Sequence, residues 1–394
     1  MSAGRSGSGE TTMKRETGFT LIELLVAMTV TLIIAAATLS LFSLAVNVNA
    51  SGTQMSTING NLRSALNLIS RDLLQAGQGI PTGGVGLPTG TGCKNINRPV
   101  YTGTAQFPYG CANPTLYPNM PAVIPGNGLG PNITSNPNLS WMPEGSNKNS
   151  DSITMVYQDN TLVTNLVPAT LQPNYLTSIS NSQMVFSNAV AITGSGISNA
   201  AQPGDVFLVY GSGLYRYVVA TNVSGQTVQI ASTDPFQLNQ QTKAAGGTIS
   251  DMNTSNGGTV PFGVSCNPAI TPLPAACAAT AQRVLFVTYF LDNSFILNGQ
   301  KIPRLMRQVG MNQPTPVAEV IEDLELSYDY VNGTTPINNV VTTPAGLTDN
   351  QIRKVNVYLA ARSDQILTST NQYLRANMAT QIDIRSLAFV NRYQ

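Results

Sequence analysis

The chain contains no histidine. Ser-His-Asp and Cys-His catalysis, histidine-ligated metal sites and histidine-held haem are therefore excluded. Charge is scarce too: 20 Lys and Arg stand against 19 Asp and Glu in 394 residues, a formal net charge of +1. Binding to nucleic acid needs clustered Lys and Arg to neutralise phosphates, so no nucleic acid is expected as a partner. No G-x-x-x-x-G-K-[ST] run is present to cradle a nucleotide, and Gly90-Thr-Gly92 does not open a helical pattern as a dinucleotide loop would. A D-x-[DN]-x-[DN]-G calcium loop is also missing. With no nucleophile motif either, neither an enzyme nor a resident cofactor or metal is expected.

In place of charge stand Asn, Thr, Ser, Gly and Pro, while 42% of residues are hydrophobic. Recurring β-branched runs separate this composition from that of a disordered chain and suit a loop-rich β protein outside the cytoplasm. The four cysteines, Cys93, Cys111, Cys266 and Cys277, form no C-x-x-C pair, so zinc and thioredoxin-type chemistry are not indicated. They fall into two local couples with loops of about 18 and 11 residues, each able to close a disulfide worth about 2–4 kcal/mol in an oxidising compartment.

One long apolar run stands out. Residues 19–46 read FTLIELLVAMTVTLIIAAATLSLFSLAV, with Glu23 as the sole charge. As a helix it rises about 42 Å, more than the roughly 30 Å of bilayer hydrocarbon. Lys14 and Arg15 precede it, so by the positive-inside rule the N-terminus is expected to stay in the cytoplasm while the rest crosses the inner membrane in a single pass. A secretory signal has a shorter apolar core. A plain anchor leaves Glu23 unexplained, because a mid-membrane carboxylate costs about 2.5–3.5 kcal/mol.

The stretch Met13-Lys-Arg-Glu-Thr-Gly18-Phe19-Thr-Leu-Ile-Glu23 resembles the type IV prepilin signal: basic leader, Gly, Phe, and Glu as the fifth residue after the cut. The resemblance implies that prepilin peptidase cleaves between Gly18 and Phe19 and that the new amino group of Phe19 is methylated. It also implies that Glu23 meets the charged amine of a neighbouring subunit in a filament core. An unpaired carboxylate in apolar surroundings is costly, so such a pair acts as a register device. Family leaders are short, so Met13 is a candidate start beside Met1. Implied partners are other minor and major pilins and the inner-membrane assembly platform.

The helix continues past the membrane. Met55, Ile58, Leu62, Ala65, Leu66, Ile69, Leu73 and Ala76 recur at spacings of three and four, with Arg63, Asn67 and Arg71 on the other side. Gly77 and Pro81 supply the stop. Major pilins usually carry Gly and Pro in the membrane half of this helix; here neither occurs between Phe19 and Ser51.

Residues 77–150 hold eleven Pro and thirteen Gly and read as loop with short strands. From 151 strands are expected over Ser152–Gln158, Gln183–Ser187, Val206–Tyr210, Leu214–Thr221, Thr227–Ala231, Arg283–Leu291, Arg304–Val309, Leu324–Tyr330, Ile352–Ala361 and Gln381–Val390. Val317–Asp323 reads as a helical turn, and Glu322, Asp323 and Glu325 as a solvated acidic face. The ending IEDLELSYDY, IRKVNVYLAARS, DIRSLAFVNRY looks like the C-terminal half of PilW-like minor pilins, relatives of the large minor pseudopilin of type II secretion.

The expected organisation is α+β and pilin-like: a long N-terminal transmembrane and amphipathic helix packed on a large antiparallel β-rich domain. It divides into a leader (1–18), a membrane half (19–46) and an amphipathic half (47–76) of the helix, a Pro/Gly-rich region (77–150) and a β-rich domain (151–394). The resemblance implies a minor pilin of the inner membrane and then the surface pilus, serving filament assembly, twitching and adhesion. Its rivals are a type II secretion pseudopilin and a pilus-borne adhesin.

Overall fold

The computed structural model describes residues 18, 20–88, 119–131, 149–159, 161–162, 176–179, 182–186, 200–211, 214–234, 236–239, 280–297, 299–367 and 371–388. Helix α1 runs over Leu21–Gln75. Its first 30 residues are exposed throughout, and burial begins in earnest at Ile58. From there the predicted stripe turns inward: Ile58, Leu62, Ala65, Leu66, Ile69, Leu73 and Ala76 are buried, while Arg63, Asn67 and Arg71 face out. Gly77 ends the helix with φ +79, and its N–H donates to Val156 O at 2.8 Å. An added Cβ there would meet the Ser386 side chain, so the left-handed turn and the close approach both require glycine.

Two antiparallel-dominated sheets carry the domain. The first comprises β1 (Val85–Gly86), β2 (Asn119–Met120), β3 (Val123–Gly126), β4 (Ser152–Gln158), β5 (Val206–Gly211), β6 (Leu214–Val219), β7 (Thr280–Asp292), β8 (Arg304–Val309) and β9 (Thr315–Glu319). Its path is β9-β8-β7-β5-β6-β1-β2, with β4 joined to β7 and β3 to β4. Strand β7 is the hub: its start pairs with β5, its middle with β4 and its end with β8. The second sheet comprises β10 (Ile321–Asn332), β11 (Thr335–Val340), β12 (Ile352–Leu367) and β13 (Gln372–Asp383), in the order β11-β10-β12-β13. Strands Leu176–Ile179, Gln183–Phe186, Asn222–Ser224 and Thr227–Gln229 make a small outer sheet, and Ile296–Leu297 with Gln300–Lys301 a short ribbon.

The core lies where the apolar stripe of α1 meets both main sheets. Ile58, Leu62 and Ile69 from the helix join Val123, Met155, Tyr289, Leu305, Leu324, Val357 and Leu359 in one cluster. In β10 the residues Leu324, Leu326, Tyr328 and Tyr330 are all buried at every second position, as a strand with one face inward requires. This α+β arrangement, a long apolar helix on a large β-rich domain, is a pilin-like architecture.

Several expectations are corrected. Val317–Asp323 is not a helical turn: β9 and β10 flank Val320, whose φ of 58 turns the chain from one sheet into the other. Its apolar spacing fitted both periods, and pairing to β8 and β12 decided for strand. Gln381–Val390 is not one strand, because β13 ends at Asp383 and α2 (Arg385–Ala388) follows. Ile384 and Leu387, both buried and three apart, supply the helical spacing. In the described part of the Pro/Gly-rich region the expected short strands are present as β1, β2 and β3, and Met120, Ala122, Val123 and Ile124 belong to the main core. The acidic face is not solvated: Glu322 and Asp323 are buried.

Candidate functional site

The signal begins at Gly18, which is exposed and where an added Cβ would meet nothing. Phe19 lies outside the described residues. Thr20 is the N-cap of α1, with extended backbone, and forms a capping box with Glu23. Glu23 Oε2 accepts from Thr20 N at 3.0 Å and from Thr20 Oγ1 at 2.9 Å, while Glu23 N donates to Thr20 Oγ1 at 3.3 Å. The carboxylate thus sits in the first helical turn, where the N-terminal end of the dipole favours an anion. These bonds use one oxygen and leave Oε1 without a hydrogen bond among the described residues. A charged amine from another chain could be received there without dismantling the cap.

Beyond the cap, Leu21, Leu32, Ile33, Leu39 and Phe42 are each exposed by more than two-thirds. Thr29, Thr31 and Thr38 return their hydroxyls to helix carbonyls three or four residues back, so their polarity is spent inside the helix. The result is a continuous apolar rod long enough to cross a membrane.

What fixes the rod to the domain was missed at the level of sequence. Asp72 is 1% exposed on the inward face of α1. Its Oδ2 accepts from Tyr289 Oη and from Arg307 Nε, both at 2.7 Å, and Tyr157 Oη reaches Oδ1 at 3.4 Å. Helix, β4, β7 and β8 therefore meet on one carboxylate. Burial and the Asp72 charge push the Tyr157 hydroxyl up to about 12 and raise Tyr289 as well, so both remain protonated donors. Burial alone pulls the Arg307 guanidinium down, but its hydrogen bond to Asp72 and the carboxylate's charge raise it on balance. The signal was available: Asp72 interrupts an apolar stripe at i+3 from Ile69, and a charge on a buried face calls for a partner.

Two further charged clusters are internal. Arg283, largely buried, donates from Nε to Asp159 Oδ2 at 2.7 Å and from Nη1 to Asp205 Oδ2 at 3.0 Å and Ala200 O at 3.4 Å, beside a cavity of about 290 Å³. Glu322 pairs with Arg375 at 2.9 Å and Arg362 at 3.4 Å, and the Arg362 guanidinium lies 4.0 Å over the Tyr373 ring. Neither places a nucleophile beside a base. Among the described residues no group of three acidic side chains is arranged to hold a metal ion. Cys93, Cys111, Cys266 and Cys277, expected as two disulfides, lie outside the described residues.

The capped, apolar, exposed N-terminal rod supports anchoring in a membrane through the N-terminus. Residues 13–39 match the model of the prokaryotic N-terminal methylation motif. That match supports a type IV pilin-like or pseudopilin-type protein, processed by prepilin peptidase and assembling with pilins in a membrane complex. No curated protein and no solved structure matches the chain.

Proposed function

We propose that the chain is a minor pilin, an inner-membrane subunit that enters a type IV pilus and helps start or stabilise the filament. Its role is structural rather than enzymatic. The observation that carries this reading is the freestanding apolar half of α1 behind a capped Glu23. An apolar rod of this length is stable only inside a bilayer or a bundle of like helices. On leaving the membrane the same surface is buried by neighbouring subunits, and Glu23 Oε1 accepts the methylated amine of a neighbouring Phe19. The absence of Gly and Pro between Phe19 and Ser51 favours a minor position over the shaft, because the rod has no built-in point at which to melt. The C-terminal resemblance to PilW-like minor pilins points the same way.

Mass spectrometry of sheared surface filaments tests this reading. A peptide beginning with N-methyl-Phe19 is expected, and an N-terminus near Ser51 would overturn it. Deletion separates the closest rival: loss of surface pili and twitching supports the pilus, whereas loss of enzyme secretion with pili intact indicates a type II secretion pseudopilus.

A further inference from the structure

Two exposed apolar tips project from the end of the domain where the free half of α1 emerges. One is the ribbon carrying Ile296 and Leu297, 59% and 53% exposed, and the other is the β12–β13 hairpin carrying Ile366, 40% exposed. Their placement follows from two independent sets of contacts. At the far end of the domain, Ser386 Oγ donates to Ala76 O just after β13 finishes at Asp383. From there β13, which packs against α1, runs back to Gln372, at most about 36 Å along the helix at 3.3 Å per residue. That length equals about 24 helical residues and brings the hairpin to roughly the level of residue 50. Separately, Tyr289 of β7 bonds Asp72, whereas Asp292 pairs with Arg304, Arg304 pairs with Glu319, and Glu319 O accepts from Asn61 Nδ2 at 3.2 Å. Strand β7 thus advances toward lower helix numbers, and the ribbon lies beyond its end. The two tips are also tied to each other, through Tyr373 Oη to Gln300 Oε1 at 3.2 Å and Arg362 Nη2 to Lys301 O at 2.7 Å.

The level of residue 50 is also where the exposed apolar run of α1 ends, at Val46 and Val48. Whatever covers the helix up to Val48 ends about one helical turn from the level of the tips. We infer that Ile296, Leu297 and Ile366 form a foot that rests in the interfacial layer of the bilayer in which α1 is anchored, so that the domain's partner surface before assembly is lipid. The headgroup layer adds about 5–7 Å on each side of the hydrocarbon, enough to meet side chains at this level. Exposed Lys301 and Asp364 offset each other in charge, so the contact is apolar rather than electrostatic. The foot would fix the rotation of the domain about the helix axis and be released when the subunit leaves the membrane.

The inference rests on the membrane-anchoring reading, and one experiment separates the two. In full-length protein with Trp141→Phe, a single tryptophan is introduced as Leu297→Trp, Ile366→Trp or, at the far end beside the Tyr328–Val340 pair, Val341→Trp. Each variant is reconstituted into phosphatidylcholine vesicles with ordinary or acyl-brominated chains, and only floated material is measured. Leu297→Trp and Ile366→Trp should emit at shorter wavelength than Val341→Trp and lose intensity with brominated lipid. Emission matching Val341→Trp, without quenching, would overturn the foot while leaving anchoring intact. A shift that ignores bromine and grows with protein-to-lipid ratio would assign the tips to a second copy and equally overturn it. Failure to float would remove the anchoring reading and the foot with it.

Discussion

Replacing Asp72 with Ala should loosen α1 from the domain more than any other single change on the helix. The carboxylate is 1% exposed and holds Arg307 and Tyr289, each at 2.7 Å. Removing one member of a buried ion pair costs about 3–5 kcal/mol, chiefly because the other charge is left uncompensated. Arg307 keeps 20% of its side chain in solvent, so water recovers part of that loss and about 2–4 kcal/mol remains. The stranded Tyr289 hydroxyl is included in this figure. Thermal unfolding of the detergent-solubilised full chain should fall by on the order of 5–10 °C, and amides of residues 58–76 should exchange faster. The diagnostic is the double variant. Adding Arg307→Met to Asp72→Ala removes the orphaned charge and should restore about half of the loss, since apolar replacement of a whole buried pair is often close to neutral. If the two substitutions simply add, the carboxylate is not holding the guanidinium in place and the argument fails.

Other consequences can be tested alongside. Asp323 is buried, and burial together with the Asp151 charge pushes its carboxyl up to about 7 from an ordinary value near 4. The folded state then binds a proton that the unfolded state has released, so stability should fall by up to a few kcal/mol as pH rises from about 4 to 7. Asp323→Asn should flatten that slope in urea titrations, and an unchanged slope would exclude Asp323 as its source. Gly77→Ala should cost about 1–2 kcal/mol for the left-handed backbone, plus the clash with Ser386, read as a lowered urea midpoint. Glu23→Ala should be cleaved and membrane-bound yet poorly incorporated into filaments; normal incorporation, scored by immunoblotting of sheared pili, would remove the pairing role.

Much of the helix was legible because a single period governs it. The stripe from Ile58 to Ala76 and the stop at Gly77 emerged as read, and the free half follows from an apolar run with no polar face. The strands of β4 and β8 were equally plain, being β-branched or alternating and bounded by breakers, whereas β12 runs past its expected end at Ala361 to Leu367. Legibility failed where two periods coincide. Val317, Ile321 and Leu324 suit a helix as well as a strand, and only Val320's positive φ and the partners in β8 and β12 resolve them. It failed again where charge was equated with solvent. Glu322 is buried because Arg362 and Arg375 come from strands more than 35 residues away, a pairing that no local pattern encodes. Asp72 is the same case read from the helix side. At the signal itself the Thr20 cap, which engages one oxygen of Glu23 within its own chain, was not anticipated.

Because α1 is buried chiefly from Ile58 onward, the chain behaves mechanically as a post set in a socket. Traction along the axis loads the seam in shear. β12 and β13 lie beside the gripped segment, so their apolar contacts and the Asp72 cluster resist together. A sideways force instead peels the seam open from Ile58, one contact at a time. Gly52 and Gly60, where an added Cβ would touch nothing, flank the point at which the post enters the socket. There the backbone is least stiffened by side chains. In the proposed filament, a chain built this way withstands a long pull along the axis of α1.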